Sequence, residues 1–160
     1  MSQAESFIAT SLTQAGGFRL ALPVERAFPL FGPVKEKLWA PGWEPRVLFP
    51  ADSEVADGMV FTVEEAHGRV YWVVTQYDAA NHVVSYVNVA PEHVVNRITV
   101  RCSAVGANAT NVAVRYQHTA LGESGNAWIA TLTPEGYRAK MEHWKHAIEY
   151  ALEHGRPMTV

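Results

Sequence analysis

Six segments of alternating apolar and polar residues follow one another between residues 46 and 119, and turn residues separate each segment from the next. A period of two is typical of strands that are buried on one face, and short turns join such strands into antiparallel hairpins. The pattern therefore predicts an antiparallel meander, preceded by a further strand of the same type at 17–22. The meander strands are predicted at 46–49, 59–66, 69–77, 82–89, 93–104 and 110–119.

A long amphipathic helix is predicted over 133–154, after the meander. Its apolar side chains recur every three to four positions, Pro134 suits a first helical turn, and Gly155 suits a helix end. Because the helix stripe and the apolar face of the sheet both need cover, we predict an α+β fold in which a curved antiparallel sheet wraps around this helix. The stripe consists of Tyr137, Met141, Trp144, Ile148 and Leu152.

Shorter helices are predicted on either side of the meander. Apolar residues recur at helical spacing within 23–40, and Pro29 and Pro33 divide this stretch into two short helices after the first strand. The residues 123–132 are also predicted to be helical, with Pro134 as a fresh start before the long helix.

Hairpin pairing assigns the strand residues to faces, because residues directly opposite one another in an antiparallel pair project to the same side. Uninterrupted pairing with two-residue turns at His67-Gly68 and Pro91-Glu92 predicts a mostly apolar inner face. A single bulge would reverse every assignment beyond it. The predicted inner face comprises Phe61, Val63, Trp72, Val74, Val83, Ser85, Val87, Val89, Val94, Asn96, Ile98, Val100, Cys102, Val112, Val114, Tyr116 and His118.

The same pairing predicts an apolar island on the outer face of the sheet. Two interpretations stand side by side: a homodimer contact, or cross-strand stabilisation within one chain. The island consists of Tyr71, Val73, Val84 and Tyr86.

Length and composition narrow the classes of function. A chain of 160 residues supports one core, and a net charge of −3 without a basic block argues against a nucleic-acid partner. The single cysteine, Cys102, has no Cys/His cluster around it, so neither a disulfide nor a metal site is predicted. We find no phosphate-binding glycine motif, no cofactor motif, no targeting segment and no stretch of membrane-spanning length. We therefore expect a cytoplasmic protein without membrane insertion.

The order of the predicted elements, with FRLALPVERAF at 18–28, KLW at 37–39 and Trp43, resembles the START-like (SRPBCC) superfamily. That superfamily includes birch-pollen-allergen-like and polyketide cyclase-like proteins, and the resemblance extends over 17–155. It implies a helix-grip fold, in which sheet and C-terminal helix leave a cavity between them for lipids, sterols, polyketides or other apolar molecules. The residues 1–160 would form a single START-like domain, with 1–16 as an N-terminal extension or as the first part of strand 1.

Ten side chains are candidates for contact with a ligand in such a cavity. Trp39 and Trp43 flank a Pro-Gly turn at the open end of the sheet, where they either clamp a ligand or plug the core. Asn96 and His118 are polar groups on an apolar face, and they need a partner from the protein, from water or from a ligand. The other candidates are interpreted in two ways, as contacts to a ligand or as ordinary core residues. The ten are Trp39, Trp43, Phe61, Trp72, Asn96, Tyr116, His118, Tyr137, Met141 and Trp144.

Three functions are compatible with this pattern. The first is binding of a small apolar or aromatic ligand that is lipid-, sterol- or polyketide-like. The second is catalysis of a cyclase or dehydratase type, with Asn96, Tyr116 and His118 as polar groups in the same cavity. The third is a protein-interaction domain that resembles chaperone activators. The sequence contains no catalytic motif that selects between them.

Overall fold

The computed structural model describes residues 6–159, and within them the chain forms seven strands that pair in one antiparallel sheet. The order across the sheet is β1-β7-β6-β5-β4-β3-β2, so β1 closes the meander by pairing with the last strand. The strands are β1 (Ser11–Leu20), β2 (Arg46–Phe49), β3 (Val60–Glu65), β4 (Gly68–Asp78), β5 (Val83–Ala90), β6 (Val94–Val105) and β7 (Ala109–Ala120).

Helical segments cover the concave side of the sheet. The stretch predicted as two short helices forms α1, which runs on into a 3-10 helix, and then a second 3-10 helix. The meander is followed by α2 and the long α3, as predicted. The segments are α1 (Val24–Ala27), the 3-10 helices Phe28–Phe31 and Lys35–Leu38, α2 (Glu123–Ile129) and α3 (Pro134–His154). Sheet and C-terminal helix together form the helix-grip arrangement that was expected.

The first strand is longer than predicted. β1 pairs with β7 from Ser11 to Leu20, so Gly16 and Gly17 lie inside the strand and do not end it. At Gly17 a Cβ atom would lie 2.0 Å from the carbonyl oxygen of Val112, and this close approach of two strands requires glycine.

α3 begins and ends where the sequence indicates. The Thr133 hydroxyl accepts a hydrogen bond of 3.0 Å from the amide of Gly136, and Gly155 adopts a φ of 71° just beyond the helix. Three stripe residues, Tyr137, Met141 and Ile148, are buried, and Trp144 is partly buried against the core. The prediction for Leu152 is wrong: its side chain is 47% exposed. It borders a recess of about 180 Å³ beside Leu30 and Leu38, at the C-terminal end of the helix.

A β-bulge in β4 overturns the predicted faces of β5. Val74 pairs with Tyr86 and Gln76 pairs with Ser85, which leaves Thr75 unpaired. Tyr86 therefore lies opposite Val74. Without the bulge, Val87 would occupy that position. As a result Val84, Tyr86 and Asn88 face inward, and the predicted inner residues Ser85, Val87 and Val89 lie on the outer face.

A second deviation restores the prediction in β6. Ala90 pairs with Val94, so the turn between β5 and β6 has three residues where two were predicted. The two deviations cancel, and Asn96, like His118 in the next strand, faces inward as predicted. In the β3–β4 hairpin Phe61 pairs with Trp72, not with Val74, a shift of two residues that leaves the faces unchanged.

The outer apolar island does not exist in its predicted form. Tyr71 and Val73 are exposed, but Val84 and Tyr86 are buried on the other side of the sheet. The Tyr86 hydroxyl donates a short hydrogen bond to the carbonyl oxygen of Phe31 and ties β5 to the first 3-10 helix. Only two of the four residues proposed for a homodimer contact are therefore exposed on the outer face.

Candidate functional site

A cavity of about 530 Å³ lies between the inner face of the sheet, α3 and the segment that follows the second 3-10 helix. All five tryptophans of the chain line it. They come from four separate segments of the sequence, with Trp39 and Trp43 on either side of one Pro-Gly turn, and the fold brings them together around one space. They are Trp39, Trp43, Trp72, Trp128 and Trp144.

Two of these tryptophans are fixed by hydrogen bonds to the backbone. The indole N–H of Trp39 donates to the Leu30 carbonyl and that of Trp43 donates to the Pro33 carbonyl, each at 2.7 Å. Trp39 then meets Trp144 edge to face, with ring centroids 5.6 Å apart. The bonds hold the Pro-Gly turn against the cavity, so these rings form a rigid part of its wall.

Three polar side chains from neighbouring strands form a chain of hydrogen bonds on the inner face. The Asn96 amide donates to Oδ1 of Asn88 at 2.8 Å. Oδ1 of Asn96 is then the acceptor for Nδ1–H of His118, at 2.7 Å. This pattern leaves Nε2 of His118 with a free lone pair. The His118 ring lines the cavity. Within the described chain, Nε1 of Trp72 is a buried polar atom without a hydrogen-bond partner.

The His118 ring is held in place and kept uncharged by its surroundings. It stacks on Tyr116 with centroids 5.4 Å apart and meets Trp128 edge to face at 5.1 Å. Burial, with a contribution from the positive charge of Lys140, lowers the pKa of His118 to about 4. His118 is therefore a neutral imidazole at pH 7, with Nε2 able to accept a hydrogen bond or a proton.

Two further ionisable side chains of the lining have shifted pKa values. Nζ of Lys140, on α3, lies 3.7 Å from the centroid of the Tyr116 ring, and burial lowers the pKa of this amine to about 8. Glu36 lies on the second 3-10 helix, and burial raises the pKa of its carboxyl group well above the usual range. The cavity thus combines an aromatic wall, a neutral imidazole, an amine and a carboxylic acid.

Comparison with known proteins identifies the fold. Neither a scan against protein-family models nor a search of curated proteins finds a match for this chain. Among solved structures, norcoclaurine synthase from Thalictrum flavum, in complex with dopamine and hydroxybenzaldehyde, matches with a TM-score of 0.64 at 9% identity over 91% of this chain and 89% of that one.

Two aromatase/cyclase structures match as well. The di-domain ARO/CYC BexL from the BE-7585A biosynthetic pathway has a TM-score of 0.64 at 14% identity, over 86% of this chain and 46% of that one. The Zhui aromatase/cyclase from Streptomyces sp. R1128 has a TM-score of 0.54 at 17% identity, over 89% of this chain and 87% of that one. This chain has the START-like fold. The resemblance seen in the sequence is confirmed at the level of the fold.

Most of the candidate residues line the cavity of this START-like fold. The exceptions are Phe61, which is fully buried and stacks behind Trp72 with centroids 5.4 Å apart, and Met141. Met141 is buried and borders a separate recess of about 580 Å³ between β1 and α3. The candidates in the cavity wall are Trp39, Trp43, Trp72, Asn96, Tyr116, His118, Tyr137 and Trp144.

Several lining residues were missed, and only some of them carried a signal in the sequence. Lys140 lies three positions after Tyr137 and four before Trp144, so helical spacing places it beside the stripe. Asn88 was missed because the bulge changed the face of β5. Glu36 lies between two lysines in a charged run, and no pattern in the sequence separates it from a solvent-exposed residue.

Within residues 6–159, no three His, Cys, Asp or Glu side chains come together in a group that could hold a metal ion. None of the helices in the described part of the chain combines the length and the apolar composition that a bilayer-spanning helix needs.

Proposed function

We propose that this protein binds a small apolar or aromatic molecule, of lipid-, sterol- or polyketide-like chemistry, in the cavity between the sheet and α3. The observation that carries the proposal is the convergence of five tryptophans on one space of about 530 Å³. Pockets for small molecules fall in this range of volumes, and they combine an apolar wall with a few convergent polar groups. Flat aromatic rings offer the most contact to a flat ligand.

The polar groups give the ligand an orientation. Nε2 of His118 accepts a hydrogen bond from a ligand hydroxyl, because Asn96 holds the proton of the ring on Nδ1. The ring cannot turn away without losing its stacking on Tyr116 and its contact with Trp128. A ligand with one hydroxylated end and an apolar body therefore fits the cavity in one direction.

Fluorescence titration tests the proposal directly, because every tryptophan of the chain lines the cavity. Emodin, a flat hydroxylated polyketide, should quench the emission saturably, and anthraquinone, which lacks the hydroxyl groups, should bind more weakly. His118→Ala should weaken emodin binding by about 1–3 kcal/mol and leave anthraquinone binding unchanged. The exposed His67→Ala serves as the control variant. Failure of both compounds to quench saturably would contradict the proposal.

A second candidate function, a polyketide cyclase- or dehydratase-like enzyme, is favoured by one specific observation. A neutral imidazole at His118 and a carboxyl group of raised pKa at Glu36 line the same cavity. Environments that shift two titratable groups in this way supply a general base and a general acid at the same pH. Product analysis after incubation with polyketide-like substrates distinguishes the two functions. An enzyme should lose about 10²–10⁴-fold in rate in His118→Ala, whereas a binding protein forms no product.

A further inference from the structure

Lys140 places a positive charge inside the cavity without an anionic partner. Its Nζ lies 3.7 Å from the centre of the Tyr116 ring and 5.8 Å from the centre of the Trp144 ring, so its neighbours are aromatic faces. Lys140 takes part in none of the ion pairs of residues 6–159. Those pairs are Arg69 with Glu64, Arg138 with Glu135 and Lys145 with Glu149.

The other ionisable groups of the cavity wall do not pair with this charge. Glu65, an exposed residue at the end of β3, also lines the cavity, but it forms no ion pair with Lys140. Burial raises the pKa of the Glu36 carboxyl group well above its usual range, which favours the uncharged acid. The lowered pKa of His118 keeps the imidazole neutral at pH 7, and burial raises the pKa of the Tyr116 hydroxyl. With a pKa of about 8, Lys140 itself remains mostly protonated at pH 7.

An ammonium group in such a place is stabilised poorly by the protein alone. A cation over an aromatic face recovers only part of the hydration it has lost, whereas a carboxylate forms a charge-assisted hydrogen bond with it. Because burial favours the uncharged form of Glu36, this carboxyl group repels an entering anion less than an ordinary glutamate would. A ligand carboxylate would therefore find a partner in this cavity.

We propose that the cavity takes an aromatic carboxylate, whose ring system lies among the tryptophans and whose carboxylate binds Nζ of Lys140. This inference rests on the proposed function and narrows its ligand to an acid. The lysine ammonium is the group that would distinguish the acid from a neutral molecule of the same shape. His118 remains free to accept a hydrogen bond from a hydroxyl elsewhere on the ligand.

A matched pair of probes tests the inference in the unmodified protein. para-Phenylbenzoate and para-phenylbenzamide have nearly the same shape and differ in charge, and isothermal titration calorimetry measures both without interference from tryptophan emission. At pH 7 the wild type should bind the acid about 10- to 100-fold more tightly than the amide, the range expected for a hydrogen bond to a charged group. Equal affinities, or tighter binding of the amide, would overturn the inference and leave the proposed function intact. No binding of either probe would count against both.

Variants assign the preference to Lys140. Lys140→Met keeps an unbranched side chain of similar length and removes the charge, so it should lose the preference for the acid over the amide. Lys37→Met, at an exposed lysine of the second 3-10 helix, should retain the preference. A Lys140→Met protein that still prefers the acid would overturn the assignment.

Discussion

His118 on β7 and Asn96 on β6 lie directly opposite each other, and Nδ1 of the histidine is 2.7 Å from Oδ1 of the asparagine. The bond joins two polar side chains on a mostly apolar face of the sheet, where Asn88 extends the chain of hydrogen bonds. It fixes the tautomer of the imidazole and leaves Nε2 unprotonated on a ring that lines the cavity, so the chemistry of the site depends on a residue that need not contact the ligand.

Asn96→Ala should therefore destabilise the protein by about 1–3 kcal/mol, because it leaves Nδ1 of His118 without a partner in a buried position. Urea unfolding measures the change. Ser85→Ala is the control, since it also removes a cross-strand hydrogen bond, to Thr99, but on the outer face of the sheet. We expect a smaller loss there, and equal losses in the two variants would contradict the role given to Asn96.

Acid should destabilise the protein in part through His118. The pKa of His118 is lowered from 6.5 to about 4 in the folded chain, so the unfolded chain binds the proton first. The neutral His118 contributes up to about 3 kcal/mol to the free energy of unfolding. This contribution is complete above pH 6.5 and is lost as the pH falls towards 4. Unfolding free energies measured across this range should fall less steeply for His118→Gln. The exposed His67→Gln should follow the wild type, and identical slopes for all three proteins would contradict the prediction.

Lys140→Met should stabilise the protein at pH 7 by about 1–2 kcal/mol, because it removes a poorly solvated charge at the cost of the cation–π contacts with Tyr116 and Trp144. The folded pKa of about 8 lies below the ordinary 10.5, so the unfolded chain binds more protons between these values. Stability of the wild type should therefore rise as the pH increases from 8 towards 10, and Lys140→Met should lack this rise. Thermal unfolding at several pH values measures both effects, with Lys37→Met as the control; a lower midpoint for Lys140→Met at pH 7 would oppose this account.

The packing of α3 provides a matched pair on one helix. Ile148 is fully buried and Leu152, one turn later, is 47% exposed. Ile148→Ala should cost about 2–5 kcal/mol, whereas Leu152→Ala should cost less than about 1 kcal/mol. Trp144→Ala should fall between them, because its ring borders the cavity and is not enclosed. Denaturant midpoints that rank the three variants differently would contradict the described position of α3.

The fold could be predicted from the sequence because it depends on periodicities that repeat over many residues. Strand alternation and the stripe of α3 tolerate single errors, and Tyr137, Met141 and Ile148 are buried as the stripe requires. Which residues of β5 face inward, by contrast, depends on a single bulge and on the length of a single turn. The unpaired Thr75 shifts the register between β4 and β5, and the three-residue turn before Val94 shifts the register between β5 and β6. Neither event can be recognised from the sequence.

Site residues could be predicted from the sequence where a polar side chain interrupts an apolar strand face, and could not be predicted elsewhere. Asn96 and His118 stand out as polar residues on an apolar face, so the sequence indicates them. Glu36 becomes unusual only in the folded chain, where it lines the cavity and burial raises the pKa of its carboxyl group. No sequence pattern connects Trp128 with His118. Their contact forms only because α2 packs beside β7 in the folded chain.

The bulge at Thr75 has a consequence for changes in chain length. Loss of one residue from the middle of a strand ordinarily turns over every side chain beyond it. Removal of Thr75 would instead bring Val74 and Gln76 next to each other, opposite Tyr86 and Ser85, which are the partners they already have. A deletion here would be neutral for the register, and Tyr86 and Asn88 would keep their places in the cavity wall. Thr75 is therefore a spare residue, at which related chains can differ in length without any change in what the cavity presents to a ligand.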